Sequence, residues 1–184
     1  SSGGAMQLCL HYQGPLKSSG SAAIKHRIRT ALHPQLMRFC LGTDFRESFE
    51  KADQDGRLSV QFGLKRYRCL VSEKLDVAID LQITILVPNK DAAAVREGGD
   101  LDNRLKTLFD ALRAPAQPNE IPDTDEFDYA GEGMFCLMRD DNLIKNISVQ
   151  MHQDYAPIDK DTVLCLMLVN TRLLAMRYDN LAYV

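Results

Sequence analysis

The stretch "DVAIDLQITILV", residues 76–87, constrains the fold more than any other part of the chain. Val77, Ile79, Leu81, Ile83, Ile85 and Val87 alternate with Ala78, Asp80, Gln82, Thr84 and Leu86. Successive side chains of a strand point to opposite faces, so this pattern fits a strand with one face in a core and the other turned outward. Pro88-Asn89 ends it. A second run, "DTVLCLMLVN" at 161–170, is almost continuously apolar and fits a central strand.

Helical spacing appears twice. "SAAIKHRIRTALHPQLMRFC" places Ile24, Ile28 and Leu32 on one face after a Ser21 cap, with Pro34 expected to kink or end the helix. "LDNRLKTLFDALRA" places Leu101, Leu105, Leu108 and Leu112 on one face, and Pro115 and Pro118 stop it. "MQLCLHY" reads as a first strand ending at Gly14-Pro15, and "VQFGLKRYRCLVS" is ambiguous, with a short strand as one reading. Residues 42–59 read as polar, with a "DQDG" turn, and 116–133 as a long acidic loop. "MFCLMRDDNLIKNISVQMHQ" leads through Asp140-Asp141 into a strand carrying Ile147, Val149 and Met151, and the tail from Thr171 is a last helix or an extension. The expected class is α/β or α+β: a mixed β-sheet packed with helices in one domain over 6–184, with an acidic insertion near 114–133. "SSGGA", residues 1–5, reads as a vector-derived scar before a native start at Met6.

Cysteine usage and charge narrow the setting. Cys9, Cys40, Cys69, Cys136 and Cys165 are scattered, mostly in apolar settings, and form no CxxC pair, which fits buried thiols in a reducing cytoplasm and not a disulfide framework or a zinc site. No apolar run is long enough to span a bilayer, so no membrane partner is expected. Net charge is −3, yet residues 1–43 hold Lys17, Lys25, Arg27, Arg29 and Arg38 and no acid, leaving −8 to the remainder. A basic segment facing a polyanion and a plain solvated helix both account for this. Lys65, Arg66 and Arg68 form a second basic group.

In "GGDLDNRLKTLFDALRAP", at 98–115, Asp100 and Asp102 flank one leucine at the mouth of a helix. Two carboxylates so placed can converge on one divalent cation, which removes their repulsion. They can also cap free N–H groups and oppose the helix dipole. Asp102 and Lys106 share a helix face, either as a surface ion pair or as an acid and a cation beside a metal centre. Gly98 and Gly99 would let the backbone turn and let phosphate approach closely. Asp140-Asp141 supplies a second acidic pair before a strand, which turn chemistry alone also explains. His11, His26, His33 and His152 show no metal-ligand spacing, and no nucleophile elbow or P-loop occurs.

These pieces resemble the RusA family of Holliday-junction resolvases. Asp100, Leu101, Asp102, Asn103, Lys106, Asp110, Ala111 and Leu112 fall in register with its D-L-D-N-x-x-K helix, and "RDDNLIKNISVQMH" matches its second acidic segment. The likeness covers residues 77–170, and "GPLKS" before a basic helix matches the family's opening more loosely. It implies a RusA-like single domain acting as a homodimeric, Mg²⁺-dependent endonuclease on branched DNA, with Mn²⁺ as an alternative metal. By the same likeness Asp100, Asp102 and Asp141 hold the metal, with Asp140 beside them, and Lys106 assists at the scissile phosphate. Lys17, Lys25, Arg27, Arg29 and Asn103 face nucleic acid, with Asn103 also orienting the site. Asp110 reads as structural, a cap or a partner of Arg113 or Arg104. The sequence departs from the family in the acidic loop between helix and second pair and in an enlarged 42–73 segment. A non-catalytic nucleic-acid- or protein-binding module on the same fold is the alternative function.

Overall fold

The computed structural model describes residues 6–88 and 100–183. The alternating segment is β4 of a mixed α+β domain whose elements, in chain order, are β1 (Gln7–Pro15), α1 (Ala22–Cys40), α2 (Arg46–Ala52), β2 (Ser59–Phe62), β3 (Lys65–Val71), β4 (Val77–Val87), α3 (Asp100–Leu112), β5 (Met134–Met138), β6 (Ile144–Gln153) and β7 (Thr162–Leu173). One sheet has the order β1-β7-β4-β6 and the other β2-β3-β5. In the larger sheet β7 runs antiparallel to both β1 and β4, while β4 and β6 are parallel. The central placement of the apolar run therefore holds, but its residues divide. Val163, Cys165, Met167 and Val169 enter the core, whereas Leu166 stays 40% exposed on the other face.

The main core lies between the inner face of the larger sheet and the helices, where Ile79, Leu81, Ile83 and Ile85 of β4 meet Ile28, Leu32 and Leu36 of α1 and Leu108 and Leu112 of α3. The Ser21 Oγ accepts from the Ile24 N–H and caps α1 as its sequence suggests. Pro34 neither ends nor breaks this helix, which runs on to Cys40. Proline removes one backbone hydrogen bond, but burial of Leu36 and Cys40 beyond it keeps the helical path favourable. The polar 42–59 stretch contains α2, because Phe45, Phe49 and Ala52 at helical spacing reach the core. The ambiguous basic segment is a hairpin, β2 to β3, turning at Gly63 with φ +59°. The tail is an extension ending in a short 3-10 turn, fixed by Tyr183 Oη donating to the Leu70 carbonyl.

A smaller apolar cluster decides what the acidic segment does. Tyr67, Cys69, Met134 and Cys136 point away from the main core and are covered by Ile121, Phe127 and Tyr129. The 114–133 segment is thus a lid on the second face of the small sheet. This explains why every residue of β5 is buried and why its sequence, "MFCLM", shows no alternation.

Candidate functional site

Asp100 opens α3, and the loop 16–20 lies along the helix's first turns. Gly20 N–H donates to Thr107 Oγ1 at 3.2 Å, and a Cβ on Gly20 would fall 2.2 Å from the Thr107 methyl. Only glycine allows that approach. Arg104 clamps the other side, donating to the Leu16 carbonyl and, at 2.6 Å, to the Asp100 carboxylate one turn earlier. Partial burial would raise the Asp100 carboxyl, but hydrogen bonds from Arg104 and Ser18 outweigh it and hold the group below the usual carboxylate range. Asp100 is therefore engaged within the fold. Asp102, Asn103 and Lys106 are exposed on the same helix, and Lys17 is exposed in the loop that precedes α1. Asp102 and Lys106 form no ion pair with each other or with any other described residue.

The second acidic pair behaves as its turn chemistry suggests. Asp140 Oδ1 accepts from the Asn142 N–H at 2.9 Å and caps a 3-10 turn over Asp141–Leu143, which leads into β6. Asp140 and Asp141 are exposed. Among the described residues, no three His, Cys, Asp or Glu side chains gather into a group able to hold a metal ion. Asp100, Asp102, Asp140 and Asp141 are all described, so a single chain does not bring them together as a three-ligand set. The donor types suit a hard cation. Gly98 and Gly99 lie outside the described residues.

The basic residues separate sharply. Arg29 is only 1% exposed and donates to the carbonyls of Asp110 and Arg113, at 2.7 and 2.9 Å. It caps the C-terminal end of α3 from α1, where a cation favours the helix dipole, and is not placed at a nucleic-acid surface. Lys25 Nζ lies 2.6 Å from Asp110 Oδ2. Asp110 also pairs with Arg113 at 3.3 Å, in line with the structural role expected of it. Burial pushes the Asp110 carboxyl up, but these cations pull it below its ordinary value. The second basic group is consumed as well. Arg66 and Arg68 meet the buried Asp53, and Arg68 also reaches Glu50 and Glu132 while lying over the rings of Phe49 and Phe135. Lys17 and Arg27 remain exposed.

A polar network unmarked in the sequence lies under the acidic segment. Asp125 accepts from Lys65 at 2.6 Å, from Tyr129 Oη at 3.0 Å and from the Phe127 N–H, and His26 Nε2 stands 2.9 Å from its other oxygen. Tyr129 Oη is 2.7 Å from Tyr67 Oη, whose phenol burial pushes up to about 12. Burial also lowers the His26 imidazole, outweighing the pull of Asp125. The signal for this network was the charge asymmetry itself: a basic first segment and an acidic insertion in one chain can neutralise each other.

No family model, curated protein or solved structure matches this chain.

Proposed function

We propose that the chain is a RusA-like endonuclease that cuts branched DNA and depends on Mg²⁺ or Mn²⁺. The observation that supports this reading is the outward face of α3, where Asp102 and Lys106 stand unpaired among the described residues while the neighbouring charges are absorbed by the fold. An exposed acid at a helix start contributes only about 0.3–1 kcal/mol through the dipole, and an unpaired lysine contributes less. Stability gives little reason for this arrangement. Lys106 and Lys17 supply cations to a phosphodiester, while Asp102 supplies an acid beside it.

A second reading is a module on the same fold that binds nucleic acid or protein without cutting. One experiment separates the two. The protein is incubated with four-way-junction, duplex and single-stranded DNA, with Mg²⁺, with Mn²⁺ and with chelator. Junction cleavage that chelator stops supports the nuclease. Junction binding without cleavage in either metal supports the module.

A further inference from the structure

Two cavities lie in a row along β2, an edge strand of the small sheet. Both have β2 on one side and the 115–123 segment on the other. The larger, about 640 Å³, is walled by Phe62, Pro118, Ile121 and Pro122, and Asp123 lines it as well. The smaller, about 400 Å³, is walled by Val60, Pro115 and Ala116, with Arg139 and Asp140 beside them. Val60 and Phe62 are two residues apart, about 7 Å, the spacing of side chains on one face of a strand. The outer edge of β2 is open too. The two-residue turn at Gly63-Leu64 makes Phe62 with Lys65, and Val60 with Tyr67, the hydrogen-bonded pairs of the hairpin. The Cys69 N–H, donating to the Leu58 carbonyl at 2.8 Å, continues the series. Ser59 and Gln61 therefore turn their N–H and C=O groups outward. The Ser59 carbonyl accepts from Arg139 at 3.3 Å, whereas the Gln61 backbone faces no strand.

We propose that this groove binds an extended, basic segment of a partner protein, added to β2 as a further strand, with two apolar side chains seated in the two cavities. Strand addition draws affinity from main-chain hydrogen bonds and specificity from pockets for alternate side chains. Two pockets at strand spacing suit a peptide better than a compact small molecule. Their far wall is pre-formed. Pro115, Pro118 and Pro122 restrict its backbone, and ion pairs of Glu120 with Arg113 at 2.9 Å and of Asp125 with Lys65 at 2.6 Å anchor it. Charge sets the chemistry of the partner. The 114–133 segment holds six acids and no base. Glu120, Asp125 and Glu132 are paired with Arg113, Lys65 and Arg68, while Asp123, Glu126 and Asp128 are exposed and in no ion pair with a described residue. The cations of the groove are spoken for, since Asp125 holds Lys65 and Arg139 lies 3.6 Å from Glu73. Such a groove repels phosphate and attracts Lys and Arg. Leu64, 93% exposed at the hairpin turn, extends the apolar surface beyond Gly63. The inference holds whether or not the chain cuts DNA.

A random dodecapeptide library, displayed on phage and panned on the full chain, tests it. Enriched peptides should carry two apolar residues at i and i+2 flanked by Lys or Arg. The tightest of them, synthesised with a fluorescent label, should lose about tenfold in affinity on Asp123→Lys. Asp123 is exposed, so that change leaves the fold intact. Asp44→Lys, the same charge change at an exposed turn outside the groove, should bind as wild type does. A strand has two edges, so N-methylation of the peptide at alternate residues should abolish binding in one register and spare it in the register shifted by one. No enrichment, enrichment of acidic peptides, or an equal loss on Asp123→Lys and Asp44→Lys overturns the proposal. So does equal tolerance of the two N-methylation registers, which would leave no added strand. DNA cleavage is not the readout, so failure here leaves the nuclease reading where it stands.

Discussion

The Lys25 ammonium lies 2.6 Å from the Asp110 carboxylate, so a cation of the basic helix α1 is tied to an acid of the helix that carries the D-x-D pair. Their side chains are 23% and 14% exposed, which shields the pair partly from water. A double-mutant cycle of Lys25→Met and Asp110→Asn should return a coupling near about 1 kcal/mol, the upper end for pairs that are not fully buried. Lys25→Met should leave DNA affinity nearly unchanged. A large affinity loss with no loss of stability would contradict the pairing.

Arg27 and Arg29 are neighbours in sequence with opposite expected behaviour. Arg27 is exposed, whereas Arg29 is buried against the C-terminal carbonyls of α3. Arg29→Ala should destabilise the fold by about 2–4 kcal/mol, since it orphans buried carbonyls and opens a cavity. Arg27→Ala should leave the urea midpoint in place. If DNA binds, it should lower the salt slope by about 0.9. Equal effects of the two changes on stability would refute this division.

Arg68 is the buried member of the second basic group and meets Glu50, Asp53 and Glu132. Its guanidinium, 2% exposed, is 3.0 Å from Asp53, itself 2% exposed. Arg68→Met keeps much of the volume between Phe49 and Phe135 but removes the closer of the two cations on the buried Asp53, leaving Arg66 at 3.2 Å. The expected cost is about 3–5 kcal/mol. Arg68→Met with Asp53→Asn should recover part of it, and chemical denaturation of the two variants checks both statements.

Acid should weaken the fold before the carboxylates titrate. Burial lowers the His33 imidazole below its ordinary value, and His33 Nδ1 accepts the Phe135 N–H at 2.9 Å, a bond only the neutral ring can make. His26 is lowered too, chiefly by burial. Free histidine titrates near about 6.5. Below that pH the unfolded chain takes up protons that the folded chain refuses. The stability from these groups is therefore complete above about 6.5 and declines as pH falls toward their folded values. Urea midpoints should drop between about pH 7.5 and 5.5. His33→Asn, whose amide oxygen can replace Nδ1 as acceptor without titrating, should show a shallower drop, and an undiminished one would remove His33 from the account.

Asp102→Asn should change stability by less than about 1 kcal/mol, because the side chain is exposed and has no partner among the described residues. Under the proposed nuclease function it should abolish cleavage while DNA binding persists or tightens. Lys106→Ala should slow cleavage with the fold intact. An Asp102→Asn variant that cuts as fast as wild type would remove this aspartate from the site.

The local rules in the sequence settled the elements with clear periods. Alternation in 76–87 specifies β4, the Ser21 cap specifies the start of α1, and the leucine spacing after Asp100 specifies α3. Each depends on residues a few positions apart, so the chain alone determines them. What only the tertiary structure decided depends on partners far along the chain. Pro34 does not end α1, because the core beyond it outweighs a local hydrogen bond. "VLCLML" divides between core and open face, because both strand faces are apolar and only β1 and β4 fix which one is covered. The paired charges show the same limit. Lys25, Arg29, Lys65 and Arg68 resemble a polyanion-binding surface until Asp110, Asp125 and Glu132, between 60 and 85 residues away, come to meet them. A charge in the sequence carries its sign but not its neighbour, and in a folded chain the neighbour decides whether it binds a ligand or holds the fold.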